Sequence, residues 1–260
     1  MSADDATSFI TSRDNPWLKR LRKLAQDGPE YRRAGQVWLE GDHLCRALLA
    51  RGARPELGVF AQTLWTQAPA EWVTAAPRHL VLADALFDGL SALPSPARMG
   101  FVIALPPEPA LDPAAPTVVL DRVQDAGNVG AILRCAAAFG FTQVVAMQGA
   151  AALWSQKVLR AAMGAHFGLR LIESARPEIL EQLEVPVITT SSHGGQLLQR
   201  VALPWPCAWA FGHEGQGVGL DVAARSALAV RIGQPGGEES LNVAAAAAIC
   251  LHASAAVHAR

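Results

Sequence analysis

The sequence is poor in several features that would each indicate a particular class of protein. Four cysteines are scattered among 260 residues with no CxxC spacing, so we expect reduced thiols and no bound metal. No apolar run reaches the roughly 18 residues of a membrane span, and the first residues lack the apolar core of a signal peptide. We therefore expect a cytoplasmic protein with no membrane segment.

Strong net charge is also missing, because 22 Lys and Arg are offset by 23 Asp and Glu. Bulk charge therefore cannot attract nucleic acid, and any such contact must come from a local patch. One local excess lies between Arg13 and Arg54, where ten Lys and Arg accompany five Asp and Glu. This excess fits a phosphate-binding face and an ordinary solvated surface about equally well.

Common nucleotide-binding and hydrolase motifs are absent as well. The chain has no GxGxxG after the strand-like run at 117–121, no GK[ST] and no GxSxG. It does contain the stretch "LPPEPALDPAAP" at 105–116, whose five prolines predict a stiff linker. We therefore expect one domain over 1–105, a linker over 106–116 and a second domain over 117–260.

Both domains alternate strand-like and helix-like segments. In the second domain, apolar runs at 117–121, 142–147, 186–191 and 207–212 are separated by helical stretches. This alternation predicts an α/β fold with a mostly parallel sheet flanked by helices, and the first domain is predicted to be a smaller α/β unit. Ligands in such sheets bind beyond the carboxyl ends of the strands, so the loops there are the candidate site.

The first of these loops is "DRVQDAGNVGAILR". It opens a helix predicted from Asn128, whose side chain is suited to capping it, and Arg134 is the lone cation on a face of small residues. A surface or interface ion pair is an equally simple explanation for Arg134.

Two further loops follow later strands. The second loop, "FGHEGQGVG" at 211–219, holds Glu214 among four glycines, which suits backbone groups that face a ligand. The third, "IGQPGGEESLNVAAAAAICLHA" at 232–253, offers Ser240 or Asn242 as the cap of the last helix. Taken singly, each loop also fits an ordinary turn or cap.

Taken together and in this order, "GNVGAILRCAAAFG", "AFGHEGQGV" and "SLNVAAAAAI" resemble the signatures of the SpoU family of RNA ribose 2′-O-methyltransferases, the SPOUT-superfamily group that includes TrmH. The segment "SQKVLRAAMGAHF" at 155–167 is also similar to the family. The resemblance implies a deep trefoil knot in the C-terminal domain, S-adenosylmethionine as methyl donor and a homodimer with its active site near the interface.

The N-terminal "ITSRDNPWLKRLRKL" resembles the RNA substrate-binding domain often fused to this family, which has a ribosomal-protein-like fold. With such a domain, the resemblance implies 2′-O-methylation of a ribose in structured RNA, with ribosomal RNA favoured. The alternatives are a tRNA methyltransferase, a non-catalytic RNA-binding assembly factor on the same fold, and a structural dimer that binds the cofactor but no RNA.

The resemblance also assigns site residues. The catalytic positions would be Asn128, Arg134, Glu214, Ser240 and Asn242. Because a guanidinium stays protonated, we expect Arg134 to hold the phosphate and the 2′-oxygen, oriented by Asn128 and Glu214, while a general-base role is the open alternative. The methyl donor would be held by a second set of positions, namely Gly212, Ile232, Leu241, Thr190 and Gly217.

Overall fold

The computed structural model describes residues 7–91, 96–191, 194–236 and 240–258, which form two units, each with its own sheet. The strands are β1 (Thr7–Ile10), β2 (Gln36–Glu40), β3 (Leu57–Ala61), β4 (His79–Leu82), β5 (Met99–Ala104), β6 (Thr117–Asp121), β7 (Gln143–Met147), β8 (Arg170–Ala175), β9 (Val187–Thr190), β10 (Gln196–Leu197), β11 (Ala208–Gly212) and β12 (Leu228–Arg231). The helices are α1 (Pro16–Gln26), α2 (Glu30–Ala34), α3 (Asp42–Ala50), α4 (Gln62–Trp65), α5 (Ala70–Val73), α6 (Asp84–Asp88), α7 (Ala126–Ala138), α8 (Gln156–Ala162), α9 (Leu220–Ala223) and α10 (Val243–His258).

The first unit comprises the chain up to Pro107 together with Trp154–Phe167. Its five-stranded sheet has the order β1-β4-β3-β5-β2, in which β1 and β3 run parallel to β4 while β5 is antiparallel to β3 and β2. Helix α1 begins where Asn15 accepts a hydrogen bond from the N–H of Trp17 at 2.9 Å. Its leucines recur every three residues and are buried in the core of this unit.

The segment Trp154–Phe167 packs with the first unit, although the sequence analysis places it in the second domain. Gln156 donates a hydrogen bond from Nε2 to the carbonyl of Trp38 at 2.7 Å. Gly164, at φ +86°, lies so close to Ala47 that an added Cβ would be 2.4 Å from the Ala47 Cβ. The apolar face of a short helix fits either core equally well, so periodicity does not reveal which core it joins.

The second unit contains a seven-stranded sheet with the order β10-β12-β9-β11-β6-β7-β8, and every neighbouring pair in it is parallel. This confirms the predicted α/β class and the mostly parallel sheet. Strands β6, β7 and β11 are mostly apolar and are buried at every residue because both faces of the sheet are covered there. Trp209 is fully buried and donates from Nε1 to Ser254 Oγ at 2.8 Å, which fixes α10 against β11.

The two central strands of this sheet end level with one another. Gly212, the last residue of β11, lies opposite Asp121, the last residue of β6. Because the strands are parallel, the chain leaves both of them at the same edge. The loops that follow are therefore neighbours in space although they are about 90 residues apart in sequence.

The last features of the fold are the lengths of its helices and the state of its cysteines. Within the described residues, no helix is both long and apolar enough to cross a bilayer. The longest helix near the C-terminus, α10, has 16 residues and is rich in alanine, which lets it pack closely along α7. All four cysteines are free thiols.

Candidate active site

The site begins at the start of α7, just beyond the carboxyl end of β6. The N-cap is Asp125, whose Oδ1 accepts from the backbone N–H of Asn128 at 2.7 Å. The prediction that Asn128 caps this helix is therefore wrong, since the helix starts at Ala126. The consequence is functional, because the Asn128 side chain is left for contacts with residues from other loops.

Glu214 of the second loop is the acceptor at the centre of these contacts. Its carboxylate accepts from the backbone N–H groups of Gln124 at 3.3 Å and Asp125 at 3.1 Å, and from Asn128 Nδ2 at 3.2 Å. Burial acts to raise the pKa of Glu214, but hydrogen bonds from its own N–H, Asn128, Asp125 and Gln124 outweigh it and lower the pKa below 4.5. The residue is thus held as a carboxylate that bridges two loops.

Asn242 of the third loop completes the arrangement. Its Oδ1 accepts from the N–H groups of Ala244 at 2.9 Å and Ala245 at 3.2 Å, which confirms its predicted capping of α10. These contacts fix the orientation of the amide, so Nδ2 is the atom that donates to Asn128 Oδ1 at 3.0 Å. Asn242 therefore donates to Asn128, and Asn128 in turn donates to Glu214. We call these three residues (Asn128, Glu214 and Asn242) the three-loop network.

The glycine loop, residues 211–219, closes on itself tightly. A Cβ added to Gly212 would lie 2.1 Å from the carbonyl carbon of Gly217, so only glycine permits this approach. Gly217, at φ +68°, donates from its N–H to the carbonyl of His213 at 2.8 Å. The loop is thereby folded back across the end of β11, with Glu214 near its tip.

The end of β6 and the residue after it anchor the far side of the glycine loop, and these two residues lie outside the predicted site. Asp121 Oδ2 accepts from the N–H of Gly219 at 2.5 Å, and Arg122 donates from Nη1 to Gln216 Oε1 at 3.1 Å. Arg122 itself has φ +59°, a left-handed conformation that is unfavourable for a residue with a side chain. The signal in the sequence was an Asp-Arg pair at the end of a buried strand.

Arg134 does not join the three-loop network. Its side chain is exposed, and it forms no hydrogen bond or ion pair among the described residues. The expectation that Asn128 and Glu214 orient it stays a prediction, since neither residue is hydrogen-bonded to it within the described chain. The reason is helical geometry, because six residues separate Arg134 from Asn128, which is about 9 Å along the axis and roughly a third of a turn around it.

The residues predicted to hold the methyl donor lie along the same edge of the sheet. Gly212 and Gly217 belong to the glycine loop, while Thr190 ends β9 opposite Val230 of β12, and Ile232 follows β12 directly. Thr190 and Ile232 are half-buried. Ser240 and Leu241 immediately precede Asn242 and are exposed, and Leu241 retains 39% of its surface.

An open cleft of about 440 Å³ lies next to Ile232. Its size falls within the roughly 300–1,000 Å³ of small-molecule sites. The cleft is shallow, and none of the residues predicted to hold the methyl donor is part of its lining. The cleft is lined by Leu197, Gln199, Arg200, Gly233, Gln234 and Pro235. Within the described chain, no group of three or more His, Cys, Asp or Glu is placed to hold a metal ion.

Comparison with known proteins accounts for this site. Residues 115–252 match the model of the SpoU rRNA Methylase family. The chain is 30% identical over 247 residues to the 23S rRNA (guanosine(2553)-2′-O)-methyltransferase RlmP of Bacillus subtilis, covering 94% of this chain and 97% of that protein. A structure of a putative RNA methyltransferase of the TrmH family from Porphyromonas gingivalis is 30% identical, with a TM-score of 0.80 over 94% of this chain and 98% of that one.

A second solved structure supports the fold. The AdoMet-bound rRNA methyltransferase from Sinorhizobium meliloti superimposes with a TM-score of 0.85 at 24% identity, over 97% of this chain and 98% of that chain. The resemblance drawn from the three loops is confirmed. The chain belongs to the SpoU rRNA methylase family.

Proposed function

We propose that this protein transfers a methyl group from S-adenosylmethionine to a ribose 2′-hydroxyl of ribosomal RNA. The observation that carries the proposal is the three-loop network, which joins all three family motifs by hydrogen bonds at the carboxyl edge of a parallel sheet. Membership of a family whose relatives are rRNA 2′-O-methyltransferases supports the reaction and the RNA class.

The residues at the sheet edge fit the proposed methyl donor. The cleft beside Ile232 offers amides, a guanidinium and apolar surface, and the tight closure at Gly212 presents backbone groups of the glycine loop. We assign Thr190, Gly212, Gly217, Ile232 and Leu241 to holding it. When bound, S-adenosylmethionine supplies an electrophilic methyl group on a positively charged sulfur.

The chemistry of this chain then lies in placing a 2′-oxygen in line with that methyl group, since positioning alone supplies several kcal/mol. We assign Arg134 to the phosphate and 2′-oxygen of the substrate, because its permanent charge stabilises negative charge on that oxygen as it attacks the methyl group and its proton passes to solvent. Asn128, Glu214 and Asn242 fix the loops around it. We assign Ser240, together with Asn242, to fixing the third loop in place.

A homodimer is part of the proposal. The face of α7 that carries Arg134 also exposes Ala137 and Ala138, and α10, which packs on α7, exposes 41% of Ile249. A second copy seated on this face would cover the apolar surface and bring other groups to Arg134. Light scattering of the purified protein tests this, and Ile249→Glu is expected to yield monomers with little methyl transfer.

The predicted trefoil knot belongs to the same proposal. Helix α10 contacts β11 and α7, whereas β12, the strand that precedes it, lies on the other side of β9. Asn242, just before α10, is hydrogen-bonded to Asn128 of the first loop, so α10 begins beside the loop that follows β6. A return path that passes through the glycine-loop region, rather than around it, would make the knot.

We assign RNA binding to the first unit, as the sequence analysis expects for 1–105. The indole of Trp17 has the guanidinium of Arg20 at 5.7 Å and that of Arg78 at 5.4 Å from its ring centre, and both arginines are exposed. Neither arginine pairs with a carboxylate in the described part of the chain. This indole cluster (Trp17, Arg20 and Arg78) offers cations to phosphates and flat groups to unpaired bases.

Mapping of 2′-O-methyl positions in total RNA from cells with and without the gene tests the function. The proposal expects one ribosomal RNA position to lose its methyl group in the deletion strain. Loss from tRNA instead would favour the tRNA enzyme, and an unchanged map with defective ribosome assembly would favour the non-catalytic factor. The cytoplasmic location stays a prediction.

A further inference from the structure

The imidazole of His213 holds the glycine loop from within. Its Nδ1 accepts from the backbone N–H of Gly215 at 3.0 Å and from that of Gln216 at 3.3 Å. The His213 carbonyl accepts from Gly217 at 2.8 Å. One residue therefore receives the N–H groups of three consecutive residues, and Glu214 lies inside the turn that these contacts create.

The two contacts at Nδ1 determine the state of the ring. A nitrogen that accepts hydrogen bonds carries no proton, so the imidazole is neutral and its proton lies on Nε2. His213 in this state has no free acceptor and is not arranged to take a proton from the substrate. Its part is to bend the backbone, as Asn and Asp side chains do when they accept from N–H groups two and three residues ahead.

We propose that His213 is a positioning residue of the methyl-transfer site, whose unprotonated Nδ1 closes the glycine loop and so places the Glu214 carboxylate against Asn128. The inference rests on the proposed function for its effect on catalysis. The Glu214 contacts to Gln124, Asp125 and Asn128 all depend on where this turn presents the carboxylate.

Protonation of the ring opposes this arrangement. A proton on Nδ1 turns the acceptor into a donor that faces two other donors, the N–H groups of Gly215 and Gln216.

The discriminating variants are His213→Asn and His213→Leu. The Oδ1 of asparagine stands the same number of bonds from the backbone as Nδ1, accepts N–H groups and does not titrate, whereas leucine fills the space and accepts nothing. In a methyl-transfer assay at neutral pH, we expect the Asn variant to keep kcat within a few-fold of the wild type. The Leu variant is expected to lose about 100-fold in kcat through misplacement of Glu214.

The split between kcat and KM separates positioning from simple packing. The Leu variant is expected to lose kcat while its KM stays within a few-fold of the wild type, because the turn places Glu214 within the site and does not itself bind the RNA. A Leu variant with wild-type kcat, or an Asn variant that loses as much kcat as the Leu variant, would overturn the proposal.

A measurement without substrate keeps this test separate from that of the proposed function. Two-bond ¹H–¹⁵N correlation spectra of the full protein, with His213→Leu used for assignment, report which ring nitrogen carries the proton. We expect the proton on Nε2 at neutral pH, and a proton on Nδ1 would refute the inference. If the wild type methylates no RNA, the proposed function fails while this spectrum still decides the role of His213 in the loop.

Discussion

Two parts of the same helix differ sharply in how they are held. At the start of α7, the Asn128 side chain is hydrogen-bonded on both sides, to Glu214 and to Asn242. Less than two turns later, Arg134 is exposed and has no partner among the described residues. The contrast separates side chains that join the loops to one another from a cation that is open to solvent in this chain.

The first unit shows the same division among its cations. Arg33 pairs with Asp27 at 2.5 Å and with Glu30 at 3.0 Å, and Lys19 pairs with Asp14 at 3.0 Å. Arg20 and Arg78 instead lie over Trp17, and neither forms an ion pair with a described carboxylate. Charge counts along the sequence treat all of these cations alike, whereas the structure distinguishes paired ones from those available to phosphate.

The largest effect is expected at the unpartnered end of α7. Arg134→Ala should lower methyl transfer about 10²–10³-fold, since a cation aimed at the developing charge is lost. S-adenosylhomocysteine affinity by calorimetry should stay unchanged, because the exposed Arg134 forms no described hydrogen bond or ion pair with the loops assigned to the cofactor. Arg225→Ala, which removes an arginine paired with Glu181, is the matched control and should retain transfer. Parallel loss of binding and transfer would contradict the assignment.

The second effect concerns the partnered side of the contrast. Glu214→Gln keeps one acceptor oxygen but places an amide N–H opposite a backbone N–H that now meets a carboxylate oxygen, a loss of about 1 kcal/mol at this exposed position. Both stability in urea and methyl transfer should fall at neutral pH, unlike the Arg134 variant.

The pH dependence of that difference follows from the lowered pKa of Glu214. A carboxyl group with a lowered pKa in the folded state contributes stability above its unfolded pKa and loses it as the pH falls through the folded value. The stability gap between wild type and Glu214→Gln should therefore be constant above about pH 5 and narrow in stronger acid. A gap that widens in acid would contradict the ionised, hydrogen-bonded carboxylate.

A third, purely structural effect is expected at Ser254. Its hydroxyl is buried and is the acceptor for Trp209 Nε1, so Ser254→Ala leaves an indole N–H without a partner. We expect a loss of about 1–3 kcal/mol in the free energy of unfolding, measured in urea. The kcat of the folded enzyme should be unaffected, and Ser254→Thr, which restores an acceptor, should recover part of the stability.

The smallest effect is expected at the indole cluster. Arg78→Gln should weaken RNA binding several-fold and reduce the slope of log K against log salt by about 1, as loss of one phosphate contact does. Arg33→Gln removes a cation that is already paired, so its slope should match the wild type. Equal slopes for all three proteins would place the RNA contacts elsewhere.

Much of this arrangement was predictable because it depends on short-range patterns. Apolar runs gave the strands of the parallel sheet, and the level ends of β6 and β11 explain why two distant motifs meet. Asn242 could be recognised as a cap because its partners are two and three residues away. The two-residue strand β10 was missed because it is too short to show a pattern.

The features that were mispredicted depend on distant partners. Asp125 and Asn128 are both residues that favour the N-cap of a helix. Asp125 is the cap, while the side-chain amide of Asn128 donates to Glu214, which is 86 residues further on in the sequence. Likewise, the contact that draws Gln156 to Trp38 spans 118 residues. A sequence motif predicts which residues lie close together, but it does not predict which donor bonds to which acceptor.

The close approach of Gly212 to Gly217 limits how this motif can vary. Because the backbones of these two glycines touch, the segment 213–216 between them has a fixed length. An inserted residue would have to bulge outward and would move Glu214 away from the loop that follows β6. A deletion would leave the segment too short for Gly212 and Gly217 to meet. The side chains of this segment can therefore vary, but the number of residues in it cannot.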